Sequence, residues 1–117
     1  MKRLVLLPLA LLPGLAFAGP MQDFETALRQ AYGDYRTALF QSNAGNAEGT
    51  AKAIGNLAGK WAAIEGQWGA NPPPQYQDDP QFTATLTQVE ALAAEAQKKV
   101  ESGDLAKTHE ALEGIRA

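Results

Sequence analysis

His109 is the single histidine of the chain, and cysteine is absent. Without a thiol there is no disulfide framework, thiolate metal site, cysteine nucleophile or covalent c-type haem attachment. One histidine among scattered carboxylates makes a poor transition-metal site, which ordinarily wants two or more nitrogen or sulfur donors. His109 and Glu113 stand four residues apart and would share at most a weakly held ion. His109 follows Leu105 by four residues and precedes Leu112 by three, so it reads first as a partly exposed residue bordering an apolar face. Glu90, Glu95 and Glu101 do not form the Glu-x-x-His pairs of a di-iron bundle. Asp78 and Asp79 lack the spacing of a calcium loop, and Asp79 reads as a helix cap. Nucleophilic catalysis would require His109 to meet Ser42 or Ser102 beside an oxyanion loop, and no such loop is recognisable. These residues assign no catalytic, cofactor-binding or metal site, and the expectation is a protein that is not an enzyme.

Trp61, Trp68, Tyr32, Tyr35, Tyr76, Phe24, Phe40 and Phe82 are many aromatics for so short a chain. At helical spacing they read as core. Their functional version is an aromatic-lined groove between helices that takes a small apolar ligand or a partner segment. Trp68 and Tyr76 flank a proline-rich linker and would form a surface patch. The balance of 10 Lys+Arg against 13 Asp+Glu, a net charge of −3, offers no basic field for nucleic acid.

The first eighteen residues read as an address. Lys2 and Arg3 precede the apolar run Leu4–Phe17, and Ala16-Phe17-Ala18 supplies the small-x-small pattern of a cleavage site. That run would span about 21 Å as a helix, short of the roughly 30 Å hydrocarbon core of a membrane. Pro8, Pro13 and Gly14 also interrupt it. Cleavage after Ala18 is expected, giving an export signal over 1–18, a single domain over 19–117, a periplasmic destination and no span after the signal is removed. Losing Lys2 and Arg3 makes the remainder more acidic.

Four helical segments account for the rest. Phe24, Leu28, Ala31, Tyr35 and Leu39 recur at spacings of three and four, predicting a helix over 21–42. Ser42-Asn43-Ala44-Gly45-Asn46 gathers turn formers and caps. Ile54, Leu57, Trp61, Ile64 and Trp68 follow the seam spacing of a bundle over 47–68. Gly49, Gly55 and Gly59 weaken that helix and would let a neighbouring helix or a ligand approach closely. Pro72-Pro73-Pro74 forces a stop. Asp79 as cap and Pro80 in the first turn start a third helix carrying Phe82, Leu86, Val89, Ala93, Ala96 and Val100. Gly103 turns the chain, and Asp104 caps a fourth segment with Leu105, Thr108, Leu112 and Ile115. The expected fold is all-α, an antiparallel up-down-up-down four-helix bundle with a short or truncated fourth helix. A short fourth helix would leave Phe24 and Trp68 exposed at one end, which favours a chain continuing past Ala117. A bundle completed by a second copy, a C2 homodimer, is the alternative way to cover that end.

The stretch Pro72–Arg116, with its proline linker, Asp-Pro helix start and Gly103-Asp104-Leu105 turn, resembles the second half of the soluble cytochrome b562 family. The opening Asp23-Phe24-Glu25-Thr26-Ala27-Leu28 is similar to that family's first-helix start, and the cytochromes c′ share the bundle shape. The resemblance implies a four-helix bundle and noncovalent haem b, held by a methionine in helix one and a histidine near the end of helix four. Phe24 occupies the methionine position, and the histidine position falls beyond Ala117. Met21 and His109 are the possible substitutes, since haem iron accepts a thioether and an imidazole. In an up-down-up-down bundle they sit at opposite ends, roughly 20 Å apart. The leading expectation is therefore a haem-free exported bundle that binds an unknown protein or a small apolar ligand. A periplasmic haem b electron carrier is the alternative if the chain continues, and a periplasmic metal-handling or stress-response chaperone is the third.

Overall fold

A glycine with positive φ followed by a capping side chain builds both hairpin turns. The computed structural model describes residues 19–116; the signal expected over 1–18 and its cleavage site lie outside the described residues, as does Ala117. Helix α1 (Gly19–Asn43) ends where Gly45 adopts φ 81° and the Asn46 amide reaches back to the Gln41 carbonyl at 2.9 Å. That wrap-around bond satisfies a carbonyl that the last helical turn leaves open. The Asn46 side chain then accepts from the Gly49 amide at 2.9 Å and starts α2 (Ala47–Trp68). The same device joins α3 (Phe82–Glu101) to α4 (Leu105–Arg116). Gly103 takes φ 85°, the Asp104 amide donates to Lys99 at 3.1 Å, and the Asp104 carboxylate accepts from the Lys107 amide at 3.0 Å. In each hairpin a fully buried threonine, Thr50 or Thr108, donates its hydroxyl to the carbonyl of the capping residue, at 2.6 and 2.7 Å. Both hydroxyls are thus satisfied inside the core.

The long connection is built differently. The Gly69 amide closes α2 on Glu65, and Pro72-Pro73-Pro74 leads into a 3-10 turn, Pro74–Tyr76, with Pro73 buried. Helix α3 begins at Phe82, later than the Asp79-Pro80 signal suggests. Asp79 uses its carboxylate on the Gln81 amide at 2.8 Å and its carbonyl on the Phe82 amide at 3.2 Å, so it closes a turn ahead of the helix instead of capping it. Thr83 ties the new helix to the end of α2 through the Gly69 carbonyl at 2.8 Å.

Among the described residues there are four α-helices, one 3-10 turn and no strand, so the fold is an all-α four-helix bundle. Each helix packs on its neighbours in chain order, and α4 returns to α1. The core runs along the seam that the spacing marks: Phe24, Ala31, Tyr35 and Ala38 from α1, Ile54, Leu57, Ile64 and Trp68 from α2, Phe82, Leu86, Ala93 and Val100 from α3, and Leu112 from α4. Hydrogen bonds cross it at Tyr35–Leu112 and Trp61–Leu86. No described helix is long and apolar enough to cross a membrane.

Three expectations are corrected. Phe24 and Trp68 are buried, at 3% and 6% exposure, although α4 spans twelve residues against twenty or more in each other helix. Phe40 and Tyr32 point outward from α1, 70% and 53% exposed, so they are not core. Gly55 and Gly59 lie on the outer face of α2, where an added Cβ would meet no heavy atom within 4 Å; they admit neither a helix nor a ligand. They cost helix stability without packing gain. Replacing both by alanine is expected to stabilise the bundle by about 1–2 kcal/mol in total. Calorimetry would read this as a midpoint several degrees higher, and an unchanged or lower midpoint would mean that these positions are not open.

Candidate functional site: a cleft between α1 and α3

Among the described residues, an apolar cleft lies between α1 and α3, beside Ile115 and Arg116 of α4. Two cavities, of about 550 and 230 Å³, share Leu28, Trp61 and Val89 and so run into one another. Leu28, Ala31 and Tyr35 of α1 form one wall, and Leu86 and Val89 of α3 the other. Leu57 and Trp61 of α2 form the floor, and Ile115 and Arg116 close the α4 end. This size falls within the ordinary range for small-molecule sites.

Hydrogen bonds fix two of the lining aromatics. The Trp61 indole donates Nε1–H to the Leu86 carbonyl at 2.8 Å, which ties the ring to α3. The Tyr35 hydroxyl donates to the Leu112 carbonyl at 2.6 Å and pins the last turn of α4 to α1. Burial pushes the Tyr35 phenol above its ordinary value of 10.0, with the Arg116 charge pulling partly the other way.

The opposite end of the cleft is an aromatic cluster. The Phe24 ring meets Trp68 edge-on at 5.2 Å and Phe82 at 5.4 Å, and Tyr76 stacks on Phe82 at 5.1 Å. These contacts bury Phe24 and Trp68 where α4 does not reach. Each such pair contributes about 0.5–1.5 kcal/mol beyond its area burial. Trp68 and Tyr76, expected as a surface patch beside the prolines, are instead part of this closure, with Trp68 buried and Tyr76 half-buried.

The other sequence candidates gather elsewhere. Ser42 and His109 do meet, with Oγ 2.7 Å from Nδ1, at the hairpin-turn end of the bundle. Ser42 Oγ also donates to the Leu39 carbonyl at 3.0 Å. The hydroxyl has one proton and accepts or donates toward Nδ1 according to the imidazole tautomer. In either arrangement the pair is a tie between α1 and α4. His109 Nε2 faces Glu113 at 3.6 Å and forms an ion pair when protonated. Among the described residues no three His, Cys, Asp or Glu side chains converge as a metal site would require. Glu90 faces Glu65 across α2 and α3; burial and then the Glu90 charge raise the Glu65 carboxyl above its ordinary value of 4.5.

Haem does not fit the residues present. The cleft lining contains no histidine, methionine or cysteine to ligate iron. Met21 lies at the start of α1 and His109 touches Ser42 at its end, about 30 Å away at 1.5 Å per residue.

The spacing marks the individual aromatics and leaves the cleft unseen. Leu28, Trp61, Val89 and Ile115 come from four helices, and only the packing of the bundle brings them to a common opening. Arg29 and Arg116, at its mouth, were not singled out at all. The signal that would have found them is the type of cation, arginine at the mouth and lysine elsewhere.

Two measurements check this geometry. Because the folded Tyr35 holds its proton more tightly, its contribution to stability is complete below pH 10 and is lost as pH rises through its folded value. Tyr35→Phe should cost about 1 kcal/mol at neutral pH and flatten the fall of the melting midpoint at alkaline pH; an unchanged alkaline limb would contradict the buried phenol. Haemin added to the full chain should give no saturable low-spin Soret spectrum, and a bis-ligated spectrum at one per chain would refute the donor geometry.

Compared with family models, curated proteins and solved structures, the chain finds no match.

Proposed function

We propose that this chain is an exported, periplasmic helical bundle that works by binding and not by catalysis. Its ligand is a small apolar molecule, or an apolar partner segment, held in the cleft between α1 and α3. The observation that carries this reading is the cleft itself: two joined cavities walled by Leu28, Leu57, Trp61, Leu86 and Val89. Exposing that lining to water is costly, at about 25 cal/mol per Å² of apolar surface. A ligand that covers it recovers the cost.

Export rests on the leader pattern of Met1–Ala18. The resemblance to the cytochrome b562 family supports the bundle topology; Phe24 stands at its methionine position, and haem b binding is the alternative for a chain that continues past Ala117 with a histidine. Electron transfer and metal handling are weaker readings because each needs ligands that the cleft lining does not supply. A C2 homodimer that covers the cleft with a second copy competes with a ligand for the same surface, and sedimentation distinguishes the two.

The test uses an uncharged fluorescent probe, N-phenyl-1-naphthylamine, titrated into the full chain. Saturable enhancement at one probe per chain is expected, and Val89→Trp should abolish it while circular dichroism shows the helices intact. Non-saturating enhancement, or a Val89→Trp protein that binds as before, would remove the cleft as the binding site.

A further inference from the structure

The charges around the cleft mouth point to one kind of occupant. The described residues contain three arginines, and two of them are at this opening. Arg29 and Arg116 line the larger cavity, and the Arg36 guanidinium stands 6.0 Å from the centre of the Tyr32 ring, itself a lining residue. The lysines are elsewhere: Lys60 pairs with Asp34 across α1 and α2, and Lys99 with Glu95 on α3. This sorting matters because guanidinium is the cation that grips a carboxylate through two parallel N–H bonds. It also stands out on a chain whose net charge is negative.

Two carboxylates share the mouth. Glu113 approaches Arg116 at 3.5 Å, one turn back on α4, and Glu25 lines the same cavity four residues before Arg29. Among the described residues no carboxylate lies within 4 Å of Arg29, so its fork is open to a ligand. At the far end the sign reverses. Asp79 borders the smaller cavity beside Phe24, Tyr76 and Phe82, and repels an anion from that end. The cleft thus has a mouth where the Arg29 guanidinium lacks a carboxylate partner, an apolar trough and an aromatic end with one negative charge at its rim.

We infer that the cleft binds an aliphatic monocarboxylate, a fatty acid with a single medium-length tail. The carboxylate sits on Arg29 and Arg116, and the tail runs over Trp61 toward Phe24 and Phe82. From Tyr32 to Phe24 the α1 wall is about 12 Å long, which limits the tail that fits. This inference rests on the cleft reading above and adds the headgroup and its direction. A bundle that takes up such a molecule is a carrier or scavenger of free fatty acid.

Calorimetry of the full chain with decanoate, 1-decanol and decyltrimethylammonium, all below their micellar concentrations, tests it. Decanoate should bind at one per chain, more tightly than decanol, and the cationic amphiphile more weakly than either. Octanoate should bind about tenfold more weakly than decanoate, the loss expected for two buried methylenes. The double variant Arg29→Gln/Arg116→Gln should lose about tenfold in decanoate affinity and leave decanol unchanged. Equal affinity for the three amphiphiles, or an unaltered decanoate affinity in the double variant, would overturn the carboxylate assignment and leave the apolar cleft standing. Failure of all three to bind, in a chain that also ignores the uncharged naphthylamine probe, would overturn both readings. A dimer that decanoate does not dissociate would give the cleft to a second copy and end the inference.

Discussion

Close packing is the constraint that organises this molecule. A protein interior packs to crystal-like density, and among the described residues α4 contributes Thr108 and Leu112 to the buried core. Interior volume that the described helices leave open must be made up by larger side chains, by a ligand or by further polypeptide. Aromatic rings supply part of the answer at the far end, where Phe24, Trp68, Tyr76 and Phe82 turn edge and face toward one another. Between those rings and α4 the volume is not made up, and the cleft remains.

Trp61 shows why the cleft does not simply collapse. Its indole is large enough to swing across the gap, but its Nε1–H is held by the Leu86 carbonyl. Releasing that bond to fill the space would leave a polar group in an apolar trough, a cost of about 1–3 kcal/mol. The walls are held at both ends as well. Tyr35 fastens α4 to α1 at one end, and the stacked Tyr76 and Phe82 brace the linker at the other. The rigidity of the walls and the openness between them have the same source, because the groups that would relax inward are already bonded.

How much of this the sequence discloses depends on how local the physics is. The limits of α2 and the turn at Gly103-Asp104 follow from spacing and capping within a few residues, and they are found where the residues place them. The start of α3 is shifted because an aspartate before a proline can close a turn or cap a helix, and here its carboxylate bonds the Gln81 amide. Phe40 has the same residue type as Phe24 yet lies on the opposite side of α1; composition misses this and helical phase does not. The meeting of Ser42 with His109 follows from up-down-up-down topology once both hairpin turns are at one end, but its chemistry depends on which ring nitrogen faces the hydroxyl. The cleft is the least local feature of all. It is a gap between helices, invisible in any one segment.

The two ends of the bundle have divided their labour. At the hairpin-turn end, capped helices, two buried threonines and the Ser42–His109 tie leave no uncommitted polar group in the core. That end is specified by hydrogen bonds, whose value lies chiefly in the cost of leaving them unmade. The linker end is specified by apolar and aromatic burial, which is non-directional and tolerant of a changed partner. A site that must accept and release something is better placed in the second environment than in the first. Opening the capped end would expose several buried donors together, whereas uncovering the cleft exposes only hydrocarbon. The arginines stand where these regimes meet, close enough to the apolar trough to act on a ligand and exposed enough to remain charged without a buried counterion. A neutral ligand would gain from the trough alone. Only an anion uses the trough and its mouth together, and this is why the position of Arg29 and Arg116 carries more information about the occupant than the size of the cavity does.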